Sequence, residues 1–419
     1  MPAREVDYLL IGGGVASATC ARTLREHGAE GEVLLIGREL DAPYDRTECS
    51  KAYLRGQLSR PETLIAASDW WEQHSVELLT RTSVTGLDLQ ERTARLSTKE
   101  EVQFGQALLA TGANVRRLSV PGSELEQIHY LRALGNADSI REGVADAEDV
   151  VLIGGSYIAC EVAASLTMMG RRCSLVMQEG VTLQRGFGPD AGRFFQDLLE
   201  SHGVSVHAGD ELERFEGDGR VERVVTRAGR ELPAQAVVIG AGVMPDVGLA
   251  QRAGLQIGQS GGVRCSSRLQ SSAPGVFAAG DMCEYRSPVH GGEPVRIEHW
   301  DLATGHGRTA ALNMLGGDRP HEDVPYFFSM LGDWGELEYV GPAYDWDREV
   351  IRGSLADGSF TNWYLKDGRV RAALTFGRSA DLDHARRMIT GGDLLAEHHV
   401  SALGDTDSDL AALGSTPEH

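Results

Sequence analysis

Apolar residues along the chain come in short unbroken runs that stop at glycine. Val6-Asp-Tyr-Leu-Leu-Ile11 runs into Gly12, Gly13 and Gly14; residues 15–27 follow with the apolar spacing of a helix, and then comes Val33-Leu-Leu-Ile36. Short apolar runs with β-branched members read as buried strands, and the helical period between them gives strand, glycine turn, helix, strand. The same grammar returns at Val150-Val-Leu-Ile153, Gly154-Gly155, a helix through Met169, and Cys173-Ser-Leu-Val-Met177. The chain therefore carries an internal repeat of one βαβ unit. Ala107-Leu-Leu-Ala-Thr-Gly112, Ala236-Val-Val-Ile-Gly-Ala-Gly242 and Gly275-Val-Phe-Ala-Ala-Gly-Asp281 are further buried strands ending in turns. From 321 to 390 the character changes: aromatics concentrate, and Phe360-Thr-Asn-Trp-Tyr-Leu365 before Lys366-Asp-Gly-Arg369 alternates as an antiparallel hairpin does. Residues 405–419 read as a mobile tail.

Composition narrows this picture. At 419 residues the chain exceeds what one core supports, so two or three domains are expected. No apolar run approaches the roughly 18–20 residues that cross a bilayer, and no basic segment leads into a signal-like core, so the expected location is the cytoplasm. The net charge of -21 argues against nucleic acid or an anionic membrane as partner. Of the 40 Lys and Arg residues only Lys51, Lys99 and Lys366 are lysines, which makes each of them worth attention. The cysteines at 20, 49, 160, 173, 265 and 283 include no pair at the spacing of a redox dithiol or half a zinc site, so no metal is expected.

The glycine turns carry the chemistry. In Gly12-Gly-Gly14-Val-Ala-Ser17 the first glycine suits a tight turn, and the next lets backbone approach a pyrophosphate. Ser17 is small enough for helix to pack on strand, which leaves the helix N-terminus aimed at the phosphates. The strand 33–36 ends in Gly37-Arg38-Glu39; Glu39 is the acid expected to hold ribose hydroxyls, and Arg38 is the alternative occupant, against the adenine or its ribose. The second turn, Gly154-Gly155-Ser156-Tyr157-Ile158-Ala159-Cys160-Glu161, has Ser156 in the place of the second glycine, which hinders backbone approach. Two such turns in one chain mean two dinucleotides, or one dinucleotide and a decayed site; the intact strand, helix and following strand favour two.

In this order the residues resemble a family: FAD-dependent pyridine-nucleotide oxidoreductases of the branch holding ferredoxin and rubredoxin reductases, monodehydroascorbate reductase and apoptosis-inducing factor. The matching pieces run from residue 6 to 390. They are the Gly12 turn, Pro43-Tyr-Asp-Arg46 with Ser50-Lys51-Ala-Tyr-Leu54, Ala110-Thr111-Gly112, the Gly154 turn through Glu161, Gly280-Asp281, Glu298-His299-Trp300 and Val324-Pro-Tyr-Phe-Phe-Ser329. The resemblance implies an α/β fold with two Rossmann-like dinucleotide-binding domains and a C-terminal α+β domain. The FAD domain is expected as two parts, 1–117 and 243–320, with an NAD(P)H domain, 118–242, inserted, and the C-terminal domain over 321–404.

It also implies site roles. Gly12, Gly14, Val15, Ala16 and Ser17 would cradle the FAD pyrophosphate; Arg46 and Lys51 would lie along the flavin, Lys51 at its N5/O4 edge. Val84 would back the adenine through its main chain, or else serve as a core valine. Ala110, Thr111, Gly112 and Arg116 would line the phosphate and ribityl side, and Gly280 with Asp281 would receive the ribityl hydroxyls. Glu298, His299, Trp300 and Phe328 would stand at the flavin ring. On the nicotinamide side come Gly155, Ser156, Tyr157, Ile158 and Glu161, with Ala241 and Gly242 behind them; Glu161 would hold the carboxamide and pair with Lys51 across the flavin. An exposed first-turn glutamate is the alternative for Glu161. Glu179 would receive the adenosine ribose and Arg185 lie beside it; that carboxylate favours NADH, while Arg171, Arg172 and Arg185 keep NADPH in play. Cys49, close to Lys51, is a candidate lone redox thiol.

The reaction implied takes hydride from NADH to FAD N5, set by Lys51, Glu161 and Glu298, then passes electrons to a small ferredoxin- or rubredoxin-like carrier, with Trp300, Trp334 and Phe328 on the exit side. Such carriers are usually acidic, so a local basic patch is expected, drawn from Arg296, Arg308, Arg378, Arg386 and Arg387. Reduction of a small radical or quinone, and an NADH-sensing flavoprotein of slow turnover, are the rival readings. A monomer or homodimer is expected.

Overall fold

The computed structural model describes residues 4–341 and 343–414. They form two compact units, each assembled from separated stretches of sequence. The first comprises the chain up to Asp45, Arg60–Asn114 and Val243–Asp323; the second comprises Arg46–Ser59, Val115–Gly242 and the chain from Val324 on.

The first unit is built on a seven-stranded sheet. Its order is Val76–Leu79, Val33–Ile36, Arg4–Ile11, Glu101–Leu109, Thr93–Leu96, Val84–Asp88, with Val276–Ala278 also pairing Glu101–Leu109. The strands around Arg4–Ile11 are parallel, and the last two add on antiparallel. Burial on both faces explains the unbroken runs: Leu9, Leu10, Leu34 and Leu35 have no exposed surface. The helices Val15–Glu26 and Trp300–Met314 pack on this sheet.

The second unit repeats the theme and adds a layer. Its five-stranded sheet, Ser205–His207, Arg172–Val176, Asp149–Ile153, Ala236–Ile239, Ile128–Tyr130, is parallel throughout. The helix Tyr157–Met168 lies between it and the first strand of a five-stranded antiparallel sheet, Tyr326–Leu331. That sheet runs Tyr326–Leu331, Gly335–Val340, Arg369–Phe376, Ser359–Lys366, Arg348–Ser354, with the helix Asp381–Gly391 against it. The expected hairpin is present: Lys366 pairs with Arg369 around Asp367 and Gly368, both at positive φ. The fold class is the expected one, two dinucleotide-type sheets with parallel cores and a C-terminal α+β region.

Two expected boundaries differ. Residues 46–59 group with the second unit rather than with 1–117, because their side chains are engaged there. Arg46 donates to the Arg132 carbonyl, Tyr53 to Asp138 and Arg55 to Ser165, and Ser165 donates back to the Ser50 carbonyl. Of the expected tail, residues 405–414 are packed. The buried Arg352 donates to the carbonyls of Asp405, Thr406 and Ser408, Arg387 donates to those of Leu410 and Leu413, and both leucines are buried. A polar composition concealed these backbone contacts; residues 415–419 lie outside the described residues.

Candidate functional site

In the first unit the glycine turn is closed by backbone alone. Gly12 sits at φ +127, and a Cβ there would lie 2.0 Å from the Ala110 carbonyl oxygen, so only glycine lets the two strand ends approach. Gly14 faces open space and caps the helix Val15–Glu26 with no side-chain bond, leaving that helix's first N–H groups unclaimed by a cap. Behind it the Ser17 hydroxyl is buried and has no hydrogen-bond partner among the described residues. A cradle of bare glycine, open helix N–H groups and an orphaned hydroxyl fits a dinucleotide pyrophosphate.

Around this turn the sequence-predicted residues fall as follows. Thr111 donates through Oγ1 to the Asp246 carbonyl, and Gly112 takes a positive φ. Arg38 is exposed and held by Asp246 at 2.7 Å and Asn114 at 2.6 Å, while Glu39 receives the Tyr44 hydroxyl at 2.6 Å. Val84 opens an edge strand, half-buried against the core. Gly280, at φ +70, and Asp281 form a short turn after Val276–Ala278. Glu298 is paired at 2.6 Å with Arg296, just before His299 and Trp300 at the start of the helix Trp300–Met314.

The second unit holds the other turn. Gly154, at φ +116, is forced by the Gly240 carbonyl, 2.5 Å from where a Cβ would stand. Ser156 caps the helix Tyr157–Met168, and its hydroxyl donates to the Gly240 carbonyl at 3.1 Å. Ile158 is exposed beside it. Glu179 borders Gly155, with Oε2 3.5 Å from a Cβ there, and is paired with Arg185 at 2.6 Å. Arg171 and Arg172 serve the opposite end of their strand, on the Ala147 carbonyl and on Glu148 and Asp149, so they do not border Glu179 as expected. Ala241 and Gly242 follow Ala236–Ile239, and the Gly242 carbonyl accepts the Arg116 N–H. Tyr157 packs against Phe187 and Phe327.

Also in the second unit lies a buried ion pair. Lys51 and Glu161 are 5% and 3% exposed, and Lys51 Nζ donates to Glu161 Oε2 at 2.9 Å and to the Thr47 carbonyl at 3.0 Å. Ser50 donates to Oε2 at 2.5 Å and Ser329 to Oε1 at 2.6 Å. Both carboxylate oxygens are thus satisfied, as a charge in such burial requires. The pair is in direct contact, where a flavin between the two had been expected, and Glu161 is no exposed first-turn residue. The Phe328 ring centroid lies 5.6 Å from the ammonium. Ser50 and Ser329 were missed as partners; their signal was the small hydroxyl residue inside each quoted motif.

No two cysteines form a disulfide, and the fold brings the thiols of Cys265 and Cys283 within hydrogen-bonding distance although their spacing in the sequence gave no sign of it. All six are buried. Burial pushes the thiols of Cys20, Cys160 and Cys283 well up and that of Cys173 up to about 11, which suppresses the thiolate. The expected arginine patch is largely neutralised: Arg296 pairs with Glu298, Arg378 with Asp381 and Arg386 with Asp383, and Arg387 holds carbonyls. Trp334 is stacked on His202 at 4.2 Å. Among the described residues no helix is long and apolar enough to cross a membrane, and no His, Cys, Asp or Glu cluster could hold a metal.

A glycine turn of dinucleotide type in each unit, and a buried lysine–glutamate pair in the second, fit an oxidoreductase that handles a nicotinamide and a second dinucleotide. The chain belongs to the pyridine nucleotide-disulphide oxidoreductase family, whose model matches residues 6–307; a reductase C-terminal model matches 331–414. It is 32% identical, over 97% of its length and 98% of the relative's, to the 5,5'-dehydrodivanillate O-demethylase ferredoxin reductase subunit of a Sphingobium species. It is 30% identical, over 96% of each chain, to the benzene 1,2-dioxygenase system ferredoxin--NAD(+) reductase subunit of Pseudomonas putida. A solved covalent putidaredoxin reductase–putidaredoxin complex contains a chain of similar fold, with TM-score 0.90, 29% identity and 97% of each chain covered. Membership makes the chain a flavoprotein oxidoreductase of FAD and NADH.

Proposed function

We propose that the chain is the reductase of an oxygenase-type electron chain, drawing electron pairs from NADH through FAD and delivering them singly to a small ferredoxin-like carrier. The observation that carries this reading is the repeat of an uncapped glycine turn in each unit, together with the buried Lys51–Glu161 pair. The FAD, when bound, supplies the conversion of two-electron to one-electron chemistry.

The chain's own residues supply binding and charge. Gly12, Gly14 and the helix N–H groups from Val15 to Ser17 take the FAD pyrophosphate, with Thr111, Gly112 and Asp281 on the ribityl side and Arg38 or Glu39 toward the adenosine. Gly155, Ser156 and Ile158 receive the nicotinamide dinucleotide, and Glu179 its adenosine ribose, where a carboxylate repels a 2′-phosphate. Lys51 offers a fixed positive charge to the flavin edge, and Glu161 with Ser50 and Ser329 holds it in place. Glu298, held by Arg296, would orient the ring.

Rapid-mixing reduction with NADH and NADPH, followed by reoxidation with a [2Fe–2S] ferredoxin, a quinone and oxygen, tests the proposal. Fast reduction by NADH and fast reoxidation by the ferredoxin is the expected outcome. Fast reduction with reoxidation only by the quinone would make the chain a quinone reductase; slow reoxidation by every acceptor would make it a sensor.

A further inference from the structure

Beneath the Gly280 turn the first unit encloses two histidines. His306 lies midway along the helix Trp300–Met314 with no exposed surface, and its Nδ1 receives the backbone N–H of Gly280 at 3.2 Å. A backbone N–H only donates, so Nδ1 carries no proton and the ring hydrogen sits on Nε2. Two rings meet His306 edge to face, Tyr285 at 4.7 Å and His321 at 4.5 Å. His321 is in turn 3.1 Å from the Thr309 hydroxyl. Nothing else in the site described above uses these groups.

The Gly280 turn has need of such a partner. It starts in the left-handed region, is too short to hold itself as a helix, and carries no side-chain cap. The helix Trp300–Met314 also reaches the pyrophosphate turn: a Cβ on Gly307, next to His306, would lie 2.2 Å from the Ala16 carbonyl oxygen, and one on Gly280 would lie 3.5 Å from Ala303. One helix therefore touches both loops proposed for the FAD, through Gly307 the first and through His306 the second.

We infer that His306 is a positioning residue for the flavin cofactor, its bare Nδ1 fixing the Gly280 N–H and so the direction in which Asp281 meets the ribityl hydroxyls. This rests on the role proposed above for Asp281. His306 acts on the cofactor through the backbone of the turn, not by touching it.

The test is the dissociation constant of FAD, read from the fluorescence of released flavin, in His306→Leu, His306→Gln, Asp281→Ala and the double variant His306→Leu/Asp281→Ala. His306→Leu, which leaves the Gly280 N–H unpaired in a closed interior, weakens FAD roughly tenfold. His306→Gln, whose amide oxygen accepts the same N–H, stays within roughly threefold of the parent. With Asp281→Ala already present, His306→Leu costs nothing further, because the group it orients is gone. Equal losses in the Leu and Gln variants, or a Leu loss undiminished in the Asp281→Ala background, overturn the inference. If Asp281→Ala alone leaves the affinity unchanged, the ribityl assignment fails first and takes the inference with it, while the rest of the proposed function stands. Should His306→Leu not unfold cooperatively as apoprotein, His306→Met replaces it in the same comparison.

Discussion

At the scale of single residues, the Lys51–Glu161 pair is where charge, burial and function meet. Each partner is the condition for the other's burial, so removing one leaves an uncompensated ion. Lys51→Met is expected to cost about 3 kcal/mol of stability, and the double change Lys51→Met/Glu161→Leu to recover most of it. Chemical denaturation of the apoproteins reads this directly; a double variant no better than the single would show that the pair does not couple. Glu179 is a residue of another kind, poised at the mouth of its turn with Arg185 beside it. Glu179→Ala removes the repulsion of a 2′-phosphate and frees Arg185 to attract one. The ratio of kcat/KM for NADPH over NADH should then rise roughly tenfold, corresponding to about 1.4 kcal/mol. An unchanged ratio would move coenzyme choice elsewhere. Lys51, Glu161 and Glu179 were all legible in the sequence, because a rare lysine and carboxylates close to glycine turns stand out. Ser50, Ser329 and His306 were not, because a hydroxyl or an imidazole announces no partner until the fold brings one to it.

Elements were legible wherever their pattern was set by burial on both faces. The strands Arg4–Ile11, Val33–Ile36 and Asp149–Ile153 came out within a residue or two of their apolar runs, since a parallel strand covered on each side has no polar positions to blur it. The glycines that end them were legible for a steric reason that can be tested. Gly12→Ala places a methyl on the Ala110 carbonyl, so the strand ends must part and the turn must open. The variant should be purified largely without flavin while its apoprotein still unfolds cooperatively; yellow protein at the parent's flavin content would refute the cradle. What the sequence hid was the path of the polar chain ends. Residues 405–414 look like a solvated tail, yet their order comes from carbonyls that accept from Arg352 and Arg387, and backbone acceptors leave no trace in composition. Arg352→Met is expected to expose this stretch to limited proteolysis while the parent remains resistant.

For the whole molecule, the two enclosed histidines set a limit on acid tolerance. Burial, with His321 as a like neighbour, holds His306 well below the usual histidine range; burial likewise takes His321 down to about 4, with Asp323 pulling it up and Arg308 pushing it down. The unfolded chain binds protons on both rings below about pH 6.5, whereas in the folded chain His321 does not until about pH 4 and His306 not until well below the usual histidine range. Stability should therefore rise with pH across that window and level off above it, His321 alone contributing on the order of 3 kcal/mol. Denaturation midpoints measured from pH 4.5 to 7.5 check the sign, and His321→Gln should flatten the slope; a midpoint independent of pH would contradict it. Fold class and family were readable at this scale because the repeat of one unit is a global signal. The division into units was only half readable, since the residues that assign 46–59 to the second unit lie far along the chain, at Arg132, Asp138, Glu161 and Ser165.

That interleaving has a consequence for the order in which the protein comes into being on the ribosome. The first sheet waits for Val276–Ala278 and the helix Trp300–Met314 before its core closes, though most of its strands are made early. The stretch around Lys51 emerges among those early strands, but the carboxylate it needs arrives at Glu161 and the hydroxyl that completes that carboxylate only at Ser329. A nascent chain stalled before the last sheet would thus carry an unfinished charged pocket. Neither half can be cut out and made separately as one continuous piece of sequence: an interruption before Val276 should leave both units unfinished, and one just after Asp323 should leave only the second so.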